Sequence, residues 1–343
     1  MRKLLNTLYV TSEDTYLARK GETVLVRVAG ETKYCIPIHN LDGIICFGRV
    51  GCSPPLMGLC GENKVNLSFI SINGRFLARV QGPVSGNVLL RRNQYRIADD
   101  IEKGVGIARS IVIAKIANSR NILFRAARDR PDSPAVITFR ETAERLSRLM
   151  DSIADTNDLD KVRGIEGLAG QMYFGVFDNF ITAQKKHFHF ETRNRRPPKD
   201  NINALLSFLY TILTHDVVSA LESVGLDPAV GFLHADRPGR PGLALDLMEE
   251  FRGYLVDRLA LSLINRKQIT ERGFTITESG AVRMDTDTRK IVITAYQKRK
   301  QEEIKHPFLD EKIEIGLLPY AQAMLLARHV RGDMDTYPPF LIK

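Results

Sequence analysis

Gln81-Gly82-Pro83-Val84-Ser85-Gly86 separates two parts of the chain that differ in hydrophobic periodicity. Apolar residues alternate with polar ones before this run, whereas after it they recur about every three and a half residues. Glycine, proline and serine interrupt regular structure, so the run itself is typical of a connection. We therefore predict an α+β protein with a small β-rich N-terminal domain at residues 1–82, a linker at 83–94 and a larger all-α C-terminal domain at 95–343.

The N-terminal part contains several strand patterns rich in β-branched and aromatic residues. They cover Thr23–Val28, residues 33–38 and residues 67–72. Asn73-Gly74, after the third pattern, has the two-residue spacing of a tight hairpin. A short helix is expected at residues 54–59, because its two leading prolines suit a first helical turn.

The C-terminal part is dominated by helical patterns. The strongest is an apolar stripe at i, i+4 spacing over residues 204–212, introduced by the helix-starting sequence Pro197-Pro198-Lys199-Asp200. Residues 274–277 and 291–294 are the two stretches with strand character, and both are short. The sequence therefore favours a mostly helical second domain.

The composition is that of an ordinary globular protein. The 343 residues are 44% hydrophobic and 26% charged, and a chain of this length can form two domains that each bury a core. The net charge is +9, from 49 Lys+Arg against 40 Asp+Glu, which favours a polyanionic partner such as nucleic acid. A solvated basic surface without such a partner accounts for the charge equally well.

The four cysteines, Cys35, Cys46, Cys52 and Cys60, form no C-x-x-C pair. We expect reduced thiols in a cytoplasmic protein, with a zinc site that includes His39 as the alternative. The basic N-terminus lacks the apolar core of a signal peptide, and the sequence has no run of about eighteen uncharged apolar residues. We therefore expect no membrane-spanning segment.

Carboxylates concentrate in residues 243–257, which follow a loop rich in proline and glycine. On a single helix at about 100° per residue, the apolar residues of this segment share one face. Asp246, Glu249, Glu250 and Asp257 then share the other. Acids three or four residues apart repel each other unless a cation bridges them, so this face is a candidate metal site. A solvated acidic face is the simpler alternative.

Two further side chains are candidates to join this site. His234 precedes the loop, from which its side chain can point over the helix, and one imidazole among carboxylates suits Mn²⁺ or Mg²⁺. Glu166 lies between Gly164 and Gly167, small residues that permit a close approach of backbone or phosphate. Each has a plainer alternative: His234 as a structural hydrogen-bonding residue, and Glu166 as an acid favoured by a helix dipole.

At three segments the chain resembles the CRISPR-associated spacer-acquisition endonuclease/integrase, the universal core protein of the adaptation complex. The segments are Arg163-Gly164-Ile165-Glu166-Gly167, Gly231-Phe232-Leu233-His234 and residues 243–252, which match the family's three signature blocks in order. The resemblance extends over nearly the whole chain, and its details are similar to the form that accompanies type I-C systems.

The resemblance implies that Glu166, His234 and Glu249 bind a catalytic divalent metal ion, Mn²⁺ or Mg²⁺. Asp246 is then a nearby catalytic acid that assists or replaces one of them, and Glu250 is an alternative to Glu249. The resemblance also implies that the β-rich domain serves dimerisation and that the α-helical domain holds the metal. The expected partners are double-stranded DNA with single-stranded ends, CRISPR repeat DNA, a second copy in a homodimer, and a small ferredoxin-like protein that bridges two dimers.

The implied activity is metal-dependent cleavage and joining of phosphodiester bonds, by which foreign DNA spacers are inserted into the repeat array. Two other classes of function are kept as alternatives. A non-catalytic nucleic-acid-binding scaffold would bind DNA without metal-dependent strand transfer. A metallohydrolase of small phosphoesters would cleave its substrate without needing DNA.

Basic residues interleaved with aromatics at residues 185–190, followed by more arginines, form the candidate DNA surface. Lysine and arginine bind phosphates, and phenylalanine or histidine can stack on an unpaired base. A flexible basic loop is the alternative. The candidates are Arg163, Lys185, Lys186, Arg193, Arg195, Arg196 and Lys199, with Arg120, Arg125, Arg128, Arg130 and residues 298–300 as further ones.

Overall fold

Strands and helices separate into two units along the chain. The computed structural model describes residues 5–71, 76–82 and 88–342. The first unit comprises Met1–Gly86 with Thr286–Thr294, and the second comprises Asn87–Asp285 with Ala295–Lys343.

The first unit contains two four-stranded sheets. One has the order β1-β5-β7-β8, with its first three strands parallel and β8 antiparallel to β7. The other has the order β4-β3-β2-β6, with β6 parallel to β2 and the remaining pairs antiparallel. The elements are β1 (Asn6–Val10), β2 (Thr15–Lys20), β3 (Thr23–Val28), β4 (Glu31–Pro37), β5 (Leu41–Phe47), β6 (Gly51–Cys52), α1 (Pro54–Glu62), β7 (Asn66–Ile70) and β8 (Phe76–Val80).

Apolar side chains from both sheets and from α1 build the core of the first unit. Leu17, Val24, Ile44, Leu56 and Leu67 are each fully buried in it. These side chains come from elements far apart in sequence, so their burial ties the two sheets together through the hydrophobic effect.

Three of the four cysteines, Cys46, Cys52 and Cys60, belong to this core rather than to a metal site, and Cys35 is exposed. None of the four forms a disulfide, and burial raises the pKa of the Cys60 thiol to about 12 and that of Cys52 to about 11. Among the described residues, no three metal-binding side chains lie together. The zinc alternative with His39 is therefore wrong, because Cys46, Cys52 and Cys60 pack as small apolar groups and Cys35 is exposed apart from them.

The second unit is predominantly helical. Its long helix α3 is capped by Asp100, which accepts a hydrogen bond from the backbone N–H of Lys103 at 3.2 Å, and α6 is capped in the same way by Asp200. Its elements are α2 (Val88–Asp99), α3 (Ile101–Asp129), α4 (Val136–Ile153), α5 (Leu159–Gly175), α6 (Asn201–Val224), α7 (Gly242–Met248), a π-helix (Arg252–Asp257), α8 (Arg258–Asn265), β9 (Phe274–Ile276), β10 (Val282–Met284), β11 (Glu303–Lys305), β12 (Lys312–Glu314) and α10 (Leu318–Arg331). Helix α9 (Thr286–Gln301) begins in the first unit, with Thr286–Thr294, and ends in the second.

Helix α6 is the one described helix that is long and apolar enough to cross a membrane by length and composition. Of its most apolar window, 56% is buried inside the protein. Leu205, Leu209, Ile212 and Leu213 on this helix are fully buried, as expected for the core helix of a helical domain.

The predicted α+β architecture is confirmed, with a β-rich N-terminal region followed by a helical one. Residues 88–94, which were assigned to the linker, instead form the first part of α2. The strands β7 and β8 are antiparallel as a hairpin requires, but Asn73-Gly74 lies outside the described residues.

The strand predicted at residues 291–294 is wrong, because this stretch is the middle of α9. Its run of β-branched residues favours a strand locally, but Val292 and Ile293 bury their side chains from a helix. Tertiary packing overrides such a propensity, which is worth less than about 1 kcal/mol per residue. The strand predicted at residues 274–277 is confirmed as β9, which pairs with β10.

Candidate active site

Glu166 lies on α5, in the helical unit. The Asp158 carboxylate caps this helix by accepting hydrogen bonds from the backbone N–H groups of Asp160 and Lys161, at 2.9 and 3.1 Å. Glu166 lies about two turns beyond that start. The dipole alternative therefore does not explain Glu166, because the effect falls off within the first turn. Beside Gly164 and Gly167, no described atom outside the backbone of α5 and the neighbouring residues lies within 4 Å of the position a Cβ would take.

Asp246, on α7, is fully buried and holds the segment that carries His234. Its Oδ2 accepts hydrogen bonds from the backbone N–H groups of Phe232 at 2.6 Å and Leu233 at 2.9 Å. Its Oδ1 accepts one from the backbone N–H of His234 at 3.0 Å and lies 2.6 Å from the imidazole Nδ1. The carboxylate therefore fixes the imidazole through Nδ1, which leaves Nε2 for another partner.

Two glycines permit this close approach of the loop to α7. A Cβ at Gly231 would lie 2.6 Å from Oδ2 of Asp246. A Cβ at Gly242 would lie 2.6 Å from the backbone oxygen of Ala229. Any larger residue at either position would force the backbone apart, so the loop around His234 depends on both glycines.

Arg163 connects the helix of Glu166 to the loop of His234. Its Nε donates a hydrogen bond to the backbone oxygen of Leu233 at 2.7 Å, and its Nη1 contacts Asp160 at 3.0 Å. Arg163 lies almost one turn before Glu166 on α5, and Leu233 precedes His234. The guanidinium predicted to bind DNA is thus used within the protein, where it holds two of the signature segments together.

Glu249, directly after α7, is buried between two cations. Its Oε1 lies 2.8 Å from Nη1 of Arg252, and its Oε2 lies 2.9 Å from Nζ of Lys115. The same Nζ pairs with Oε1 of Glu166. One ammonium group therefore contacts both carboxylates, which places Glu166 and Glu249 side by side although 83 residues separate them (249 − 166).

The charges of this cluster outweigh the effect of burial. Burial would raise the pKa of Glu249, but Arg252 and Lys115, with a smaller contribution from His234, hold it below its ordinary value. Burial would lower the pKa of Lys115, but Glu249 and Glu166 raise it. Both groups are therefore ionised, and His234 is near enough to Glu249 to influence it electrostatically.

Glu250 faces a different environment from its neighbour. Tyr337 donates a hydrogen bond to its Oε1 at 2.7 Å, and the backbone N–H of Phe340 donates one to its Oε2, also at 2.7 Å. Gln322 donates another to Oε2 at 3.0 Å. Glu250 thus anchors the C-terminal tail, and the alternative in which it replaces Glu249 is wrong for this conformation.

The single acidic helix face expected over residues 243–257 does not exist. Helix α7 ends at Met248, and the backbone N–H groups of Glu249, Glu250 and Phe251 bond to carbonyls three residues back. A π-helix follows, which changes the direction in which successive side chains point. The four acids therefore reach separate partners: Asp246 the loop, Glu249 the two cations, Glu250 the tail, and Asp257 the hydroxyl of Tyr210 at 2.5 Å.

A divalent ion fits the donor chemistry of this cluster. Oε2 of Glu249 is buried and accepts no hydrogen bond of good geometry among the described residues, and its contact is the ion pair with Lys115. Carboxylate oxygens with at most one imidazole nitrogen suit Mn²⁺ or Mg²⁺. In this conformation no three described His, Cys, Asp or Glu side chains lie close enough to share an ion. Glu166 and Glu249 already converge on one cation, and that cation is Lys115.

Sequence reasoning missed Lys115 and Arg252 as members of the cluster. In the sequence, Lys115 is a charge that interrupts the apolar run of residues 111–116. That interruption was the available signal, because Ala114 and Ile116 on either side are fully buried. A lysine at such a position needs acidic partners, since a buried unpaired charge is strongly unfavourable.

The two phenylalanines of the basic segment at 185–190 do not face solvent, whereas His187 and His189 are exposed. Phe188 and Phe190 are buried, so the prediction that phenylalanines of this segment stack on DNA bases is wrong. Arg193 is also occupied within the protein, with its Nη1 2.6 Å from Oδ1 of Asn203 and its Nη2 3.0 Å from Oγ of Ser207. These residues stabilise the segment through packing and internal hydrogen bonds.

Some of the other basic candidates form ion pairs within the protein, and others are exposed without an ion pair to a described residue. Lys185 pairs with Asp178 at 2.5 Å, and the largely buried Lys300 pairs with Asp216 at 3.0 Å. The residues of the segment that are exposed and form no ion pair within the described chain are Lys186, Arg195, Arg196 and Lys199.

Two arginines that the sequence reading passed over extend this surface towards His234. Burial together with the positive charges of Arg237, Arg195 and Arg196 lowers the pKa of Arg240, whereas Asp246 opposes that shift. Arg237, Arg195, Arg196 and the aspartate that holds His234 therefore all lie near enough to Arg240 to influence it electrostatically. Such a concentration of positive charge attracts a polyanion.

Comparison with known proteins agrees with this geometry. Residues 8–298 match the family described as CRISPR associated protein Cas1. A CRISPR-associated endonuclease Cas1 from Chlorobaculum tepidum is 54% identical over 341 residues, which cover 99% of both chains. The structure of a Cas1 protein from Thermotoga maritima matches with a TM-score of 0.82 and 25% identity, over 96% of this chain and 97% of that one. A Cas6-RT-Cas1–Cas2 complex shares the fold with a TM-score of 0.84 at 24% identity, and this chain covers 37% of the chain it matches there.

The class that the fold and these matches define is the CRISPR-associated endonucleases. The chain belongs to the CRISPR associated protein Cas1 family, whose match spans most of its length. The family expected from the three signature segments is thereby confirmed, and so is its nuclease class.

Proposed function

We propose that this protein is a metal-dependent DNA integrase that inserts foreign DNA spacers into a CRISPR repeat array. The observation that carries the proposal is the convergence of Glu166 and Glu249 on a single cation position. Support comes from the family and from relatives named as endonucleases. The proposed metal is Mn²⁺ or Mg²⁺, held by Glu166, Glu249 and Nε2 of His234.

The residues of the chain have distinct parts in this mechanism. Glu166 and Glu249 provide the negative charge that retains the ion, and His234 provides one nitrogen. A bound divalent ion supplies charge stabilisation to the phosphate during transfer. The 3′-hydroxyl oxygen of the incoming strand would form a bond to phosphorus as the bond to the leaving oxygen breaks, with the hydroxyl proton released to solvent and the leaving oxygen protonated from solvent. Asp246 acts as a positioning residue, because it fixes the tautomer and orientation of the imidazole.

The proposed DNA path runs over the arginine cluster beside His234. Arg195, Arg196, Arg237 and Arg240 would bind phosphates near the reacting end, and Lys186 would extend the path. Arg163 and Arg193 are left out of it, because both side chains are used within the protein.

The proposal extends to partners and location. The first unit would form a homodimer, and a small ferredoxin-like protein would bridge two dimers. Support for the second point is that one matched structure is named as a complex of Cas1 with Cas2. The type I-C assignment and a cytoplasmic location belong to the same proposal.

Strand transfer into a plasmid tests the proposal. Labelled DNA with single-stranded 3′ ends is incubated with a supercoiled plasmid that carries the repeat, with Mn²⁺, Mg²⁺ or a chelator, and with or without the small partner protein. We expect metal-dependent attachment of label to the plasmid by the wild-type chain. Glu166→Gln, Glu249→Gln and His234→Ala should each lose at least about a hundredfold in rate while binding DNA normally.

Glu144→Gln, an exposed acid on α4, is the matched control and should retain full activity. Full activity in all three site variants would contradict the metal site. DNA binding without strand transfer under any metal would favour the scaffold alternative. Cleavage of a chromogenic phosphoester without DNA would favour the small-substrate hydrolase.

A further inference from the structure

Lys115 occupies the position between Glu166 and Glu249 where the proposed ion would bind. Its Nζ pairs with Oε1 of Glu166 and lies 2.9 Å from Oε2 of Glu249. An ammonium group and a divalent ion cannot both fill one position between the same two oxygens. We propose that Lys115 is a resident counter-ion of the metal site and that it has to move away before the site accepts a divalent ion.

This inference rests on the proposed function and adds Lys115 as a residue that determines how strongly the site binds a divalent ion. The Lys115 side chain is 14% exposed and that of Glu249 is 1% exposed, so the pair is shielded from water. Without a cation, two carboxylates at this depth would repel each other strongly. Lys115 therefore stabilises the metal-free protein and at the same time competes with the ion.

The surroundings of Lys115 give its ammonium group room to move. The side chain lines a pocket that also contains Ser119, Gly170 and Asp257. A Cβ at Gly170 would lie 3.9 Å from Nζ, so this wall leaves the ammonium unobstructed. The hydroxyl of Ser119 and the carboxylate of Asp257 are acceptors for the displaced group within the same pocket.

The competition predicts which cations bind. A monovalent ion brings no more charge than the ammonium group it would replace, and it lacks the hydrogen bond that Lys115 donates to Glu166. A divalent ion brings twice the charge and also recruits His234. Lys115 therefore makes the site select divalent over monovalent cations. Below a threshold concentration of the divalent ion, the Lys115 ammonium group occupies the position between the two carboxylates.

The test measures Mn²⁺ binding directly, by the loss of the free-ion signal in electron paramagnetic resonance, without DNA and without turnover. Lys115→Met removes the charge but keeps the length of the side chain. It should bind Mn²⁺ about ten- to a hundredfold more tightly than wild type, since charge-assisted contacts of this kind oppose the ion. Lys115→Arg keeps the charge and should stay within a few-fold of wild type.

Lys103→Met is the matched control, because Lys103 lies on the same helix and pairs with the surface residue Asp100 at 2.7 Å. It should bind Mn²⁺ like wild type. If Lys115→Met folds poorly without metal, Mn²⁺ should raise its melting temperature more than that of wild type, and an equal or smaller rise would contradict the proposal.

Two outcomes separate this inference from the proposed function. If wild type and Lys115→Met bind Mn²⁺ with equal affinity while Glu249→Gln does not bind it, the metal site stands and the role of Lys115 is refuted. If wild type, Lys115→Met and Glu249→Gln all fail to bind Mn²⁺ or Mg²⁺, no divalent site exists here and both are refuted.

Discussion

Replacing Asp246 by asparagine tests how the protein holds His234. The carboxylate accepts three backbone hydrogen bonds, from Phe232, Leu233 and His234, and also holds the imidazole Nδ1 at 2.6 Å. Asparagine has one oxygen and one NH₂ group. If the oxygen faces Phe232 and Leu233, the NH₂ group meets the backbone N–H of His234, which is left without an acceptor. A buried unsatisfied donor costs about 1–3 kcal/mol, so the free energy of unfolding should fall by about that amount.

The same change should also weaken metal binding. The asparagine NH₂ can donate to Nδ1 only when that nitrogen is unprotonated, so the imidazole proton moves to Nε2. Nε2 is the nitrogen proposed to face the ion, and loss of such a supporting partner lowers metal affinity about 10–100-fold. Urea unfolding gives the stability change and Mn²⁺ titration gives the affinity.

Asp178→Asn provides the control for Asp246→Asn. Asp178 accepts a backbone hydrogen bond from Phe190 at 2.8 Å and pairs with Lys185 elsewhere in the same unit. We expect this variant to lose stability without a change in Mn²⁺ affinity. Wild-type Mn²⁺ affinity in Asp246→Asn, measured on protein confirmed to be folded, would refute the role assigned to the carboxylate.

Three further predictions concern pH, the tail and DNA. Burial raises the pKa of Asp257 to about 6, so the folded protein binds this proton more tightly than the unfolded chain does. The contribution of this proton to the free energy of unfolding is complete below the ordinary pKa of aspartate and is lost as pH rises through about 6. Urea unfolding should show stability falling between pH 4 and pH 7, by at most about 3 kcal/mol from this group, and Asp257→Asn should remove that part. Tyr337→Phe removes the hydroxyl bonded to Glu250 and should lower the free energy of unfolding by about 1–3 kcal/mol. Arg195→Gln combined with Arg196→Gln should reduce the slope of log affinity for DNA against log salt by about 2.

Exposed residues provide the controls for these predictions. Tyr34→Phe, at a tyrosine that is 66% exposed, should leave stability unchanged. Arg331→Gln, at an arginine paired with Asp333, should leave the salt dependence of DNA binding unchanged. An unchanged pH profile in Asp257→Asn, a Tyr337→Phe variant as stable as wild type, or an unaltered salt slope in the double arginine variant would each contradict the corresponding prediction.

The fold class was predictable because periodicity reports which side chains are buried. Runs of β-branched and aromatic residues identified β3 and most of β4, and the apolar stripe identified α6. The strand β5 was not found, since most of its side chains are buried on both faces. The strand predicted at residues 291–294 failed for the opposite reason, because a local preference was overruled by packing.

The sequence predicted which residues belong to the site but not which contacts these residues make. The signature segments identified Glu166, His234 and Glu249, but periodicity placed four acids on one continuous helix face. The structure breaks that helix after Met248 and continues it as a π-helix, so adjacent residues such as Glu249 and Glu250 point to different partners. A helical wheel assumes a constant rotation per residue, and it fails where the hydrogen-bond register changes.

The break in the helix also explains why Lys115 had to be found in the structure. Glu249 reaches α3 only because the chain turns after α7. Its first cation, Arg252, is three residues away, but nothing within residues 243–257 indicates that the second comes from a helix more than a hundred residues earlier. The sequence does contain one signal that the two charges are partners. A lysine among fully buried alanine and isoleucine residues, and a glutamate in the apolar environment of α7, are each unfavourable alone. Together they offset one another, so an unexplained buried charge in one segment of a sequence indicates that an opposite charge is buried in another.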